Sequence, residues 1–361
     1  MTDIATARLR LIRTAGIGPV TYRHLLARFG SAAAALEALP TLARRGGGEP
    51  PKVADARAID RERAAVDRLG ARYLFLGDPD YPALLAEIET APPALIVRGD
   101  ADLLTRPCVG MVGARNASAA ACRFARGLAH DLAADGATIV SGLARGIDTA
   151  AHIGAERATI GVIAGGIDVA YPPENAELQE RIATHSLLVA EQPPGTEPRA
   201  RHFPYRNRIV TGLALGTLVV EAAPRSGSLI SARLAGEQGR EVMAVPGHPS
   251  DPRARGCNAL IRDGATLVQG AADVLEQLRP LDPRALPRPV AAWESVREAA
   301  ADYGDAERAR VEALLAAAPV ATDELVRQSA LPAALVQDVL LELELAGRLE
   351  RHPGGRVSRV M

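Results

Sequence analysis

VGMVGARNAS (109–118) and TIVSGLARGIDTAAH (138–152) share one design: a short apolar run that breaks into glycine and small polar residues, then a helix-length segment. Because the runs are continuously apolar and do not alternate, they read as strands covered on both faces. The pattern repeats downstream. Candidate strands are Val109–Val112, Thr138–Val140, Thr159–Ala164, Leu187–Val189, Thr217–Val220, Glu241–Val245 and Thr266–Val268, separated by stretches long enough for a crossover helix. Strand and helix in alternation imply an α/β fold, a Rossmann-like doubly wound parallel sheet. Ligands of such sheets bind beyond the carboxyl ends of the strands, so the residues following each run are the candidate site.

After the first run come Gly113, Ala114, Arg115 and Asn116, with Ser118 placed to cap the next helix. Glycine admits a close ligand, a helix start offers unpaired N–H groups, and Arg115 adds a cationic fork, which together suit a phosphate. Ser141, Gly142, Arg145 and Gly146 form a second loop of the same kind; two glycines permitting a sharp strand-to-helix turn is the structural reading of it. Asp148 falls in the first helical turn, where a carboxylate favours the dipole and capping is expected. GGIDVAYPPEN (165–175) reads mostly as architecture, a rigid turn before a 174–184 helix.

RARHFPYRNR (199–208) packs four Arg and one His into ten residues without an acid, with Phe203 and Tyr205 interleaved. That composition suits bases stacking on rings while guanidinium groups hold a backbone; the alternative is a helix with Phe203 in the core and a solvated Arg face. Ser226, Gly227 and Ser228 open a further helix after Glu221. Several such loops along one rim describe an extended anionic track, and hence a polymer.

Composition narrows the classes. The 361 residues carry 42 basic and 43 acidic side chains, so no global positive field draws in a polyanion and any such site is local. Cys108, Cys122 and Cys257 are too few and too far apart for a disulfide framework, which fits a reducing compartment. The N-terminus carries Asp3, Arg8, Arg10 and Arg13 where a secretory signal needs an apolar core, and no apolar stretch is long enough to span a bilayer. A cytoplasmic protein with no membrane contact is expected. The seven His are scattered, no Cys/His cluster has metal-ligand spacing, and neither GxGxxG, GxSxG nor a Walker loop occurs, so no cofactor, metal or catalytic residue is expected.

Four segments follow. Residues 1–75 read as a helical domain of helical-hairpin or SAM-like type, in which GIGP (16–19) is a turn joining two helices or a backbone phosphate contact, and GGGEPP (46–51) a mobile loop. Residues 76–279 form the extended Rossmann-like domain and the Pro-rich 280–303 a linker. Residues 304–361 read as a winged helix: helices over 306–317, 322–328 and 332–346, then a hairpin at His352–Gly355. From 305 onward this module has nine acids against seven basic residues, although Arg348, Arg351, Arg356 and Arg359 make the hairpin basic. It is a poor main contact for nucleic acid, and its deletion should leave a folded protein.

VGARNAS (112–118), SGLARGIDTAAH (141–152), GGIDVAYPPEN (165–175), FPYRNRIVTGLA (203–214), RSGSLISARLAGEQGREVMAVPG (225–247) and GCNALIRDGA (256–265) stand in the order and spacing of the DprA (Smf) family of DNA-processing proteins, which the chain resembles over nearly all of 106–279. The flanking segments resemble that family's helical domain and winged helix. The resemblance implies a non-enzymatic protein that binds and protects single-stranded DNA with its Rossmann domain, forms a homodimer through that domain, and loads the RecA recombinase during natural transformation. Carried over by motif, Arg115, Ser141, Gly142, Gly146, Phe203, Arg206, Asn207, Ser226, Gly227 and Ser228 would line the DNA track. Arg145 and Arg208 join them from charge and position.

The alternative is a nucleotide-binding Rossmann enzyme of the lysine-decarboxylase-like phosphoribohydrolase type, with a PGGxGTxxE word. Aligning that word's GTxxE on Gly227 puts Ser231 where the reactive Glu belongs, and Arg225-Ser226 where the preceding glycines belong. The acid is missing.

Overall fold

The computed structural model describes residues 3–279, 304–352 and 354–360. They form two compact units, one made of the described residues of Met1–Arg61 and Val290–Met361, the other of those of Glu62–Pro289. The expected linker at 280–303 lies outside the described residues.

The chain opens with α1 (Ile4–Arg13), α2 (Pro19–Phe29), α3 (Ala32–Arg45) and α4 (Ala56–Arg68). Local chemistry sets these limits. Pro19 occupies the first turn of α2, Gly30 ends it in the left-handed region at φ 73°, and the Ser31 hydroxyl caps α3 by accepting the Ala34 N–H at 3.2 Å.

In the larger unit β1 (Arg72–Phe75), α5 (Ala83–Glu87) and β2 (Ala94–Gly99) precede β3 (Cys108–Val112), α6 (Ala119–Ala134), β4 (Thr138–Ser141), α7 (Ile147–Ala155), β5 (Thr159–Gly166), α8 (Ala176–His185) and β6 (Leu187–Gln192). Then come α9 (His202–Leu213), β7 (Gly216–Val219), α10 (Gly227–Glu237), β8 (Glu241–Ala244), α11 (Arg255–Arg262), β9 (Thr266–Leu267) and α12 (Ala271–Leu278). All seven apolar runs are strands. Among the described residues they make one sheet of order β1-β2-β6-β5-β4-β3-β7-β8-β9, parallel from β6 to β9 and closed on one side by the antiparallel β2 and β1. The larger unit therefore starts before residue 76, because β1 belongs to its sheet.

After β3 the chain steps outward through β4, β5 and β6, then returns to lay β7 against the other side of β3. With right-handed crossovers this reversal puts α6 and α7 on one face and α9 and α10 on the other. Val109, Met111, Ile139, Leu218 and Met243 meet the small-residue faces of α6 and α7 in one buried core. The strand order switches between β3 and β7, so the loops following those two strands flank the crevice.

The smaller unit is completed by α13 (Asp305–Leu314), β10 (Val320–Ala321), α14 (Thr322–Ser329), α15 (Ala333–Leu345), β11 (Leu349–His352) and β12 (Arg356–Arg359), with sheet order β10-β12-β11. This is the expected winged-helix order, but it is not a separate body. Leu341 and Leu345 of α15 are buried in the same core as Leu11, Tyr22, Leu25, Leu39 and Leu42 of α1–α3. The GGGEPP segment is seated against α15: a Cβ at Gly46 or Gly48 would collide with the Glu342 or Ala346 carbonyl. Polar sequence and three glycines read as mobility; tertiary packing uses the missing side chains for close approach.

Burying two leucines contributes on the order of 3–6 kcal/mol. Deleting 280–361 should accordingly leave the large sheet folded while the amides of α1–α3 lose protection in hydrogen exchange. Unchanged protection in 4–45 would contradict the shared core.

Candidate nucleic-acid interface

The loop after β4 is held by a buried polar network. Ser141 Oγ donates to the Met111 carbonyl at 2.6 Å, tying β4 to β3. The Asp148 carboxylate accepts the Gly142 and Ala144 N–H groups at 3.2 and 3.3 Å, and His152 Nε2 accepts the Leu143 N–H at 3.3 Å. His152 Nδ1 lies 2.7 Å from Thr159 Oγ1, which itself donates to the Ile139 carbonyl. The imidazole is thus neutral with its proton on Nδ1, and burial holds its pKa down at about 3. Asn175 Nδ2 donates to the Leu143 carbonyl at 2.8 Å. The amides that the sequence offers to a phosphate are therefore taken by Asp148 and His152, and Ser141 and Gly142 are buried.

Arg206 completes this network. It was expected on the rim, but it lies inside α9 and is 6% exposed. It precedes Ile209, Val210 and Leu213 at helical spacing of 3, 4 and 7, so its side chain enters where an apolar residue would. Its Nη1 donates to the Gly142 and Val162 carbonyls, the latter at 2.6 Å. A Cβ at Gly142 would collide with that guanidinium, so glycine serves the protein's own arginine at this position. Burial lowers the Arg206 pKa to about 10, opposed by the Asp148 charge. Burial pushes the Asp148 carboxyl upward, while Arg206 and the two backbone N–H groups pull it down.

Arg208 is likewise buried and paired with Glu191 at the end of β6, Nη2 to Oε1 2.6 Å. Its guanidinium carbon sits 5.6 Å from the centre of the Tyr205 ring, which is 58% exposed. It positions an aromatic face and leaves no free charge for a ligand.

What remains on the surface is a different set. Arg115 is exposed, with its guanidinium carbon 5.4 Å from the half-buried Phe203 ring. Tyr171, 49% exposed, has its ring centre 5.5 Å from that of Phe203, tilted 53°. These three groups follow β3, β6 and β5, so they converge on the carboxyl rim of the parallel sheet. The convergence has a steric cause: Gly146 adopts φ 75°, and a Cβ there would collide with the Ala114 and Arg115 carbonyls, so the loops after β3 and β4 can touch. Exposed Arg145 carries an ion pair with Glu174. Arg199 and Arg201 are exposed, Asn207 is half-buried, and Gly227 is exposed at the start of α10. Ser226 Oγ caps α10 and lies 2.8 Å from the buried Ser228 Oγ. Tyr171 was missed in the sequence because a Tyr beside two prolines reads as turn packing; a Tyr after β5 and a Phe in the first turn of α9 are a signal only once the two are adjacent.

The start of α6 is filled as well. Glu221, following β7, accepts the Ser118 N–H at 3.0 Å and the Ser118 hydroxyl at 2.8 Å. A carboxylate thus occupies the crevice between β3 and β7 where a Rossmann protein seats phosphate. Ser231, at the position of the hydrolase glutamate, is buried in α10. Among the described residues no group of three His, Cys, Asp or Glu is placed to hold a metal, and no helix is long and apolar enough to cross a membrane.

Two outcomes follow for stability. Arg206→Ala leaves Asp148 buried without its countercharge and two carbonyls without a donor, so it should cost about 3–5 kcal/mol, with Asp148→Asn recovering part of the loss in a double-mutant cycle. His152, with its folded pKa depressed, contributes stability that is complete above about pH 6.5 and lost as pH falls, at up to about 1.4 kcal/mol per pH unit. Asp148, shifted upward, acts in the opposite direction but is common to wild type and His152→Gln. Wild type should therefore lose more stability than His152→Gln between pH 7 and 5.5 in thermal melts. Parallel curves would place the imidazole in water.

The family model described as DNA recombination-mediator protein A matches residues 72–279, a DprA-like N-terminal HHH domain matches 2–65, and a DprA winged helix domain matches 295–355. DNA processing protein DprA of Bacillus subtilis (strain 168) is 43% identical over 224 residues, 61% of this chain and 75% of that protein. Protein Smf of Synechocystis is 36% identical over 318 residues, 80% of each chain. The crystal structure of DprA from Streptococcus pneumoniae superposes with a TM-score of 0.65 at 34% identity, covering 76% of this chain and 99% of that one. DNA processing protein A from Helicobacter pylori, whose structure concerns its single-stranded DNA binding mode, matches with a TM-score of 0.53 at 30% identity over 58% of this chain and 96% of that one. With the family model spanning more than half the sequence over the very sheet and rim loops described above, the chain belongs to the DNA recombination-mediator protein A family, also called DprA or Smf.

Proposed function

We propose that this chain binds and protects single-stranded DNA along the carboxyl rim of its larger unit, without catalysis or cofactor, and loads RecA recombinase onto the strand during natural transformation. On this reading it acts in the cytoplasm as a homodimer through the Rossmann-like domain. The observation that carries it is the cluster of exposed Arg115 and Tyr171 about the half-buried Phe203 ring, with Tyr205 farther along α9. Aromatic faces beside an exposed guanidinium suit unpaired bases and their phosphates, and every base has a face to stack. Family membership and the single-stranded DNA binding described for the Helicobacter pylori relative support the same reading.

The proposed contacts fall into two sets. Arg115, Arg145, Gly146, Phe203, Asn207, Ser226 and Gly227, joined by Tyr171 and Tyr205, face the strand. Ser141, Gly142, Arg206, Arg208 and Ser228, which are buried, shape the rim from beneath. Arg145 must leave Glu174 to bind phosphate, which costs little for an exposed pair. The nucleotide hydrolase is disfavoured because Glu221 fills the crevice and Ser231 stands in place of the reactive acid.

Phe203→Ala and Tyr171→Ala should each weaken oligonucleotide binding by roughly 1–3 kcal/mol. Tyr171, the more exposed ring, should do so without lowering Tm. Arg115→Ala should reduce affinity and flatten the dependence of log affinity on log salt by about 0.7. Fluorescence anisotropy over several salt concentrations reads both. Wild type should prefer single strands to duplex without strong sequence preference, because stacked faces carry no base-edge code. Equal affinity for duplex, or Tyr171 and Arg115 variants that bind like wild type, would overturn the assignment of this rim; release of free base from nucleoside monophosphates would favour the hydrolase.

A further inference from the structure

A winged helix reads duplex DNA with the second helix of its helix-turn-helix, whose N-terminal residues enter the major groove. In this chain that helix is α15, and its first turn is Pro332-Ala333-Ala334, three exposed residues with no side-chain donor or acceptor for a base edge. The helix contains no Lys or Arg and three acids, Asp338, Glu342 and Glu344. Each acid is engaged within the smaller unit. Asp338 pairs with Arg28 of α2 at 2.8 Å, and the fully buried Glu342 pairs with Arg45 of α3 at 3.4 Å and Arg308 of α13 at 2.8 Å. Glu344 accepts the Thr21 hydroxyl at 2.8 Å and pairs with Arg351 of the wing at 2.8 Å.

Apolar packing follows the same division. Leu335, Val336, Val339, Leu340 and Leu343 fill the core of the winged helix itself, whereas Leu341 and Leu345 are buried among α1–α3. The helix is therefore buried on two sides. Two hairpin arginines are also engaged internally: Arg348 donates to the Gly46 carbonyl at 3.0 Å and pairs with Glu312 at 2.9 Å, and Arg351 pairs with Glu344.

We infer that the winged helix is a protein-docking module whose occupant is the N-terminal helical domain of the same chain, and that its recognition-position helix does not read duplex DNA. The charges are complementary by position: basic α2 and α3 meet an acidic α15, an arrangement that excludes the phosphate backbone from that face. The described residues of Met1–Arg61 and Val290–Met361 thereby fold as one unit although Glu62–Pro289 separates them in sequence.

The test places a specific protease site within 280–303 of the full chain and cuts it after folding. The two pieces should co-elute in gel filtration at micromolar concentration, with no side chain of the interface altered. Folded pieces that separate would overturn docking. Arg28→Asp and Asp338→Arg should each release the fragment more readily, and the pair together should restore retention. A double variant that stays weak would remove the charge complementarity from the account. Leu341→Asp with Leu345→Asp should undock the module, and circular dichroism of the released fragment checks that its own core, which lacks these two residues, persists. Undocking should leave duplex affinity unchanged; a gain of about tenfold or more would show that α15 is a masked DNA reader.

Discussion

The arginine inside α9 is the constraint on which the rim depends. A guanidinium cannot be stored in a protein interior without partners, and Arg206 finds them in the carbonyls of Gly142 and Val162 and in the charge of Asp148. The same contact ties three elements together: the helix following β6, the loop following β4 and the strand β5. Asp148 in turn gathers the Gly142 and Ala144 amides, and His152 takes Leu143. With the loop after β4 locked from below, Gly146 can bring it against the Ala114–Arg115 backbone, and Arg115 is delivered to the face of Phe203.

Helix starts that look like phosphate seats are in this chain largely satisfied by its own carboxylates. Glu221 occupies the first and Asp148 the second. Displacing them with a small anion would expose a buried acid, so a single deep nucleotide pocket is not what the rim offers. What stays open is shallow and distributed: exposed guanidinium groups, tilted aromatic faces and small residues along several loops. A distributed site of that kind draws its affinity from many weak contacts along a chain, which is the physical basis of the single-strand reading proposed above.

In the smaller unit, acids on α15 have a local cause. A helix buried on two sides has no solvent to hold charge, so Asp338, Glu342 and Glu344 persist because arginines and a threonine hydroxyl from both neighbours meet them. A basic patch counted from the hairpin sequence overstates what a ligand would meet, since Arg348 and Arg351 already hold ion pairs.

Strand identity was legible from the sequence, because a strand covered on both faces must be apolar throughout and its ends must break into turn residues; all seven runs from Val109 to Val268 became strands within a residue or so at most ends. The winged-helix order was legible for the same local reasons, and family membership followed from the spacing of the loops after the strands. Which arginines point outward was not. Arg206, Arg208 and Arg115 are alike in composition, and only the helical phase against a finished sheet separates the two that turn inward from the one that remains on the rim. Nor could sequence place Tyr171 beside Phe203, or seat Leu341 and Leu345 of α15 among helices near the other end of the chain. Those juxtapositions arise from long-range packing, which has no period in the sequence and exists only once the intervening chain has folded.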